Sequence, residues 1–309
     1  MRIGRNRVLA AVLAGLLVAV TAACGGGGDG QGGGGGGDGG DLTIGYIAWD
    51  ENIALANLFK AELDQRGFNV ELRQLDVAPT WQAVAQGEID LFQDAWLPTT
   101  HSDYWEQYRS QVEDLGVWYD QATLNIAVPS YVRDVNSIAD LKQHADQFGG
   151  TITGIEPGAG ETRLVETQMM PDYGLEGSMT LQKSSTTAML SALDSAIQNR
   201  EPIVVTLWHP HWAYSRYDLK DLEDPKGSMG EAEKLHMIGR EGFGEDYPEL
   251  AEVIKNFRMD DKQLGDLEDA IQQAGAGQEL QAAQQWARQN KAAMDEAFGG
   301  LSQGGSSGY

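Results

Sequence analysis

The stretch "VVTLWHPHW", Val204–Trp212, sets two indoles and two imidazoles directly after a β-branched run. Such side chains can pack a core, ligate a metal or grip a ligand. As metal ligands, His209 and His211 fall short. Structural zinc takes four ligands, and no Cys or third His stands near them in sequence. No metal and no cofactor are therefore expected. Pro210 breaks the strand instead, which leaves both His at the border of a cleft or at the start of a helix from Trp212.

Trp208 has two counterparts among the chain's 8 tryptophans. Trp49 closes "GYIAW", Trp96 closes "LFQDAW" and Trp208 closes "VVTLW", each finishing an apolar run ahead of a turn or helix start. One indole at a strand end is ordinary packing. Three at equivalent ends of one α/β body can converge on one space. Several π faces aimed at one point favour a cation that sheds water cheaply, and quaternary ammonium fits. Each such contact is worth about 0.5–1 kcal/mol when exposed and about 2 when desolvated. An anionic group would find donors in "GIEPGAGE", Gly154–Glu161. There glycine permits close approach, and a following helix N-terminus favours negative charge.

The elements that must carry these residues alternate strand and helix. "LTIGYIAW" (Leu42–Trp49) reads as a strand, and Ile53, Leu58, Phe59 and Leu63 follow near helical spacing until Gly67. Asp50 and Glu51 suit that helix's N-cap and dipole. "FNVELRQLD", a short helix around Trp81–Gln86 and the strand Ile89–Trp96 complete a βαβαβ run, hence a mostly parallel sheet. A strand at Thr123–Val132 crosses into a second lobe. That lobe holds "TITGIEPGAGE", a helix near Thr162–Met170, "MTLQKSS", a helix near Thr186–Gln198 and "PIVVTLWHP". After "DPKGSMGEAE" the chain returns through helical stretches at Pro248–Phe257, Asp260–Ala274 and Gly277–Phe298. The expected division is residues 42–127 with 238–298 as one lobe and 128–237 as the other. A ligand cleft lies between them, at the strands' carboxyl ends. Residues 299–309 read as a flexible tail.

The N-terminus reads as an export signal over residues 1–23. Arg2, Arg5 and Arg7 precede an apolar run that is short for a membrane span, then the small residues Thr21, Ala22 and Ala23, with a short membrane anchor as the alternative. Cys24, the chain's only cysteine, excludes an internal disulfide. Thr21-Ala22-Ala23-Cys24 resembles the lipobox of bacterial lipoproteins, with Thr where Leu is usual, and implies lipidation at Cys24. The next 16 residues are nearly all glycine, a tether reaching about 20–24 Å as a coil. These features place the body outside the cell membrane, held to its outer face. The formal net charge of −24 argues against a nucleic-acid partner.

Five motifs in order, "GYIAWDENIA", "DAWLPTTH", "ITGIEPGAG", "VVTLWHPHW" and "DPKGSMGEAE", resemble the glycine betaine/proline betaine-binding proteins of osmoprotectant ABC importers. The resemblance runs from about Leu42 to Met294. It implies a two-lobe fold of the type II periplasmic-binding-protein kind, with an ABC permease and its ATPase as partners. It implies a trimethylammonium box of Trp49, Trp96 and Trp208. His101, in "AWLPTTH", and the backbone N–H groups of Gly154 and Ile155 would hold the ligand carboxylate.

An enzyme is not expected. There is no H-E-x-x-H and no Ser/His/Asp constellation, and Asp94 with Glu161 fits supporting or capping roles better than acid/base work. The rival readings are a tethered ligand sensor and a choline-type binder without osmoprotectant transport.

Overall fold

The computed structural model describes residues 39–301. The signal, Cys24, most of the glycine tether and all but the first residues of the tail lie outside the described residues.

The first strand, β1 (Gly40–Tyr46), buries Leu42 and Ile44 on one face. Helix α1 (Asp50–Asp64) follows, and a left-handed Gly67 leads into β2 (Phe68–Gln74). Next come α2 (Val77–Ala85), β3 (Leu91–Leu97) and α3 (Ser102–Tyr108). β1 pairs in parallel with both β2 and β3, as the βαβαβ pattern requires. α1 is buried on almost every face, because it lies between the sheet and later helices.

β4 (Val112–Pro129) is the longest strand and belongs to two sheets. Up to Ala122 it pairs antiparallel with β9 (Glu233–Arg240), and from Thr123 it pairs antiparallel with β7 (Val205–His209). The strand order is β2-β1-β3-β9-β4-β7-β5-β6, with β5 (Thr151–Thr153) and β6 (Thr180–Gln182) parallel, and β8 (Leu219–Asp221) beside β4. The molecule thus has one half built around β1–β3 and another around β5–β7, joined through β4 and β9.

Helices of the second half are α4 (Gly160–Leu164), which continues through a widened turn into α5 (Met170–Tyr173), then α6 (Thr186–Asn199) and α7 (Ala213–Arg216). The chain ends on the first half with α8 (Phe243–Asp246), α9 (Pro248–Asn256), α10 (Asp261–Ala274), α11 (Glu279–Gln289) and α12 (Lys291–Phe298). Phe59, Phe257 and Phe298 meet edge-on at 5.0–5.7 Å and tie this helical layer to α1.

Several expectations need correction. β1 stops at Tyr46, so Trp49 does not end a strand but precedes the first turn of α1 in extended conformation. β4 begins eleven residues before Thr123, and β9 carries no strand in the sequence reading. The mixed "EKLHMIGR" of β9 hides its period because a shared central strand is contacted on both faces. The last expected helix is two, broken at Asn290.

Candidate ligand-binding site

The carboxyl ends of β3 and β7 and the N-terminus of α1 face one cavity of about 260 Å³ between the halves. Trp49, Trp96, Trp208 and Ile155 all line it, with Glu51 and Glu161. All three indoles are almost wholly buried, although 159 positions of chain separate Trp49 from Trp208.

Two indoles are anchored through their N–H groups to carboxyls of the opposite half. Trp49 Nε1 donates to Glu156, and Trp208 Nε1 donates to Glu51 at 2.9 Å. Trp212, next to the box, donates to Asp50 at 2.8 Å. Asp50 and Glu51 thus serve the cleft and not the cap expected of them. The side chain of neither caps α1, and both point toward the second half.

His101 stands beside the cavity rather than in its wall. Its ring stacks on Trp49 at 5.7 Å, with Trp81 and Tyr104 edge-on behind it. Its Nδ1 accepts the Trp96 backbone N–H at 3.0 Å, which assigns the ring proton to Nε2. That Nε2 is buried and has no partner among the described residues. Burial, and then the charge of Arg163, lower the imidazole pKa to about 3. His101 is therefore a neutral donor. The loop carrying it is pinned by Glu233 on β9, the last residue of "DPKGSMGEAE", which accepts the Thr100 N–H at 2.9 Å.

The Gly154–Ile155 pair divides differently from the expectation. Gly154 donates its N–H to Gln182 O at 2.9 Å and does not line the cavity. Its glycine character answers to packing, since a Cβ there would come within 2.7 Å of Leu181 Cδ1. Ile155 lines the cavity, accepts from Ser184 N–H and has no partner for its own N–H among the described residues.

Beneath the indoles lie acids that the sequence reading passed over or read as caps. Burial raises the Glu51 carboxyl well above the ordinary range, and neighbouring Asp94 and Glu268 push it further. Burial also pushes Asp94 up to about 7. Glu161 and Glu268 are raised for the same first reason. A cationic guest offsets this penalty on negative charge, and an uncharged one does not. The signal for Asp50 and Glu51 was present in "WDE", where two acids follow a box indole directly.

The two His of the opening motif part company. His209 Nε2 meets Asp221 at 2.8 Å and stacks on Tyr214, whereas buried His211 lies 3.2 Å from Asp50. Among the described residues no group of three or more His, Cys, Asp or Glu side chains is arranged to hold a metal.

Aromatic faces, one neutral imidazole donor and buried acids, enclosed between two α/β halves, define a two-lobe ligand-binding protein. Residues 40–289 match the family described as the substrate binding domain of ABC-type glycine betaine transport systems, and the chain belongs to that family. Its members are transport binding proteins, not enzymes. The glycine betaine/L-proline-binding protein ProX of Borrelia burgdorferi is 33% identical, with a TM-score of 0.78 over 84% of this chain and 99% of that one. Lactococcal OpuAC, closed around glycine betaine, is 37% identical with a TM-score of 0.77 over the same 84% and 99%. The fold is the type II periplasmic-binding-protein kind. The glycine betaine/carnitine transport binding protein GbuC of Listeria monocytogenes is 45% identical over 117 residues, 38% of this chain. That match spans about two fifths (39%) of GbuC's length.

Proposed function

We propose that this protein captures glycine betaine or a related quaternary-ammonium osmolyte outside the cell membrane and delivers it to an ABC permease driven by its ATPase. The single observation that carries the reading is the convergence of Trp49, Trp96 and Trp208 on one cavity. Their faces receive the trimethylammonium, and the N–H groups of His101 and Ile155 receive the carboxylate. Gly154 keeps the loop narrow enough for that approach. Residues 42–127 with 238–298 and residues 128–237 act as the two lobes, and closure between them reports occupancy to the permease.

A thermal-shift panel of betaines, choline and sugars tests the reading. Ligand at about 100-fold over Kd adds roughly 2.7 kcal/mol. For a chain of this size that raises Tm by roughly 5–10 °C. Glycine betaine is expected to give that shift and sugars none. A sugar shift with no betaine shift would overturn the assignment.

Closure itself has a steric test in Gly160. A Cβ there would stand 2.3 Å from Thr100 O on the facing half. Overpacking of this kind costs about 1–3 kcal/mol. Borne by the closed form alone, it weakens binding roughly 5- to 150-fold. Gly160→Ala is therefore expected to lower betaine affinity at least about fivefold with little change in ligand-free Tm. Unchanged affinity by calorimetry would show that binding does not need this approach.

Anchoring rests on the signal, Cys24 and the glycine tether. Among the described residues no helix is long and apolar enough to cross a membrane. Cys24→Ser is expected to move the protein from the membrane fraction into the medium, or to leave it unprocessed. A mature wild-type chain without lipid at Cys24, by mass spectrometry, would remove the anchor from the account.

A further inference from the structure

The hydrogen bonds of the box indoles cross the cleft in both directions. Trp49 sits on the first half, and its acceptor Glu156 on the second. Trp208 sits on the second half, and its acceptor Glu51 on the first. Trp96 makes no such bond, and its Nε1 is buried without a partner among the described residues. We propose that Glu156 and Glu51 are positioning residues that turn the Trp49 and Trp208 faces toward the cavity only when the halves meet. The cation box is then completed by closure instead of standing ready in the open protein. This inference rests on the betaine reading above.

The argument is one of ring geometry. Cation–π attraction acts over the face of an indole and not at its edge. The ring's second torsion is soft, so something must fix which part of the ring faces the guest. A buried indole N–H needs an acceptor. An acceptor on the same half would fix the ring in the open protein as well. Here each acceptor is supplied by the other half, and each is held there. The Glu156 carbonyl accepts from Thr162 at 2.9 Å and its second carboxyl oxygen lies 3.3 Å from the Thr186 hydroxyl. Glu51 lies in the first turn of α1, fully buried against β3 and α10. Separating the halves therefore releases both rings at once, and the site loses its grip as it opens. This is a contact made in only one of two states, which a coupling between occupancy and closure requires.

Indole 1H–15N spectra of the tryptophan-labelled full chain, with glycine betaine titration, test this. In the wild type, ligand is expected to shift the Trp49 and Trp208 indole signals downfield while that of Trp286, in α11, stays in place. Glu156→Ala is expected to abolish the Trp49 shift and weaken binding about tenfold, as for loss of a hydrogen bond to a charged group. Ligand-free Tm should be unchanged. Glu156→Gln keeps an acceptor oxygen and should restore most of both, which a merely structural role would not predict. Glu51→Gln should likewise spare the Trp208 shift, and Glu51→Ala should remove it. Wild-type affinity in Glu156→Ala, or a Trp49 signal indifferent to both ligand and Glu156, would overturn the proposal. A wild type that binds no betaine would overturn the ligand reading instead. The positioning would then be decided by the ligand-free spectra, failing if Glu156→Ala moves the Trp49 signal, because the bond would already stand in the open protein, and holding if the signal stays in place.

Discussion

Trp49→Ala, Trp96→Ala and Trp208→Ala are each expected to weaken glycine betaine binding about 30-fold. The figure follows from losing one desolvated cation–π wall worth about 2 kcal/mol. All three rings line the same cavity and are nearly excluded from water, so the desolvated value applies rather than the surface one. Phe at each position should cost less, because a π face survives. Trp49→Phe and Trp208→Phe should nevertheless fall below Trp96→Phe, since they also lose the bonds to Glu156 and Glu51. Trp286→Ala should act on a different quantity. Trp286 is buried in the helical layer, far in sequence from the cavity residues, and its truncation should cost about 3–5 kcal/mol of stability. The affinity of its folded fraction should hold. Calorimetry at a temperature where each variant remains folded separates the two effects. Three alanine variants binding like wild type would remove the box.

His101→Ala is expected to cost betaine affinity about tenfold or more and to leave any choline binding much less affected. Choline shares the trimethylammonium but ends in a hydroxyl, so it leaves a donor built for carboxylate poorly used. A hydrogen bond to a charged acceptor is worth about 1.5–3 kcal/mol, which sets the size of the effect. The bond from Trp96 N–H to Nδ1 settles how the ring acts. Neutral His101 offers its Nε2 proton, and its pKa of about 3 keeps it neutral through ordinary pH. Its contribution to binding should therefore be flat between about pH 5 and 8, far above that value. The stability linkage has a definite sign. The unfolded imidazole titrates near 6.5 and the folded one near 3, so the unfolded chain binds more protons between them. The stability contribution is complete above about 6.5 and is lost progressively as pH falls toward 3. Equal losses for betaine and choline in His101→Ala would show that the residue supports its lobe and does not read the carboxylate.

The strand-and-helix alternation was legible because its period is local. Leu42 and Ile44 alternate along β1, and α1 and α6 end close to where the sequence pattern placed them. β9 was not legible, because its residues are selected by neighbours on two strands more than a hundred positions away in sequence. The single expected helix after Gly277 broke at Asn290, whose side-chain Nδ2 donates to Trp286 O at 2.9 Å and closes the first helix there. At the site, the three Trp stood out because identical settings recurred. Glu156 and Glu233 did not, since an acid looks the same in sequence whether it faces water, a backbone N–H or an indole across a cleft.

The sequence by itself determined the side-chain chemistry available to this protein: indoles that can take a cation, a His and a glycine loop that can take an anion, and a strongly acidic composition. Each of these is a property of residue type or of spacing within one element, and such properties survive without a fold. Only the tertiary structure decided which nitrogen of His101 carries the proton, which of Gly154 and Ile155 keeps a free N–H, and which half supplies the acceptor for each indole. Those choices depend on what the far chain places within hydrogen-bond reach. A buried donor or acceptor takes its state from its neighbours, and here the neighbours come from the opposite half of the molecule.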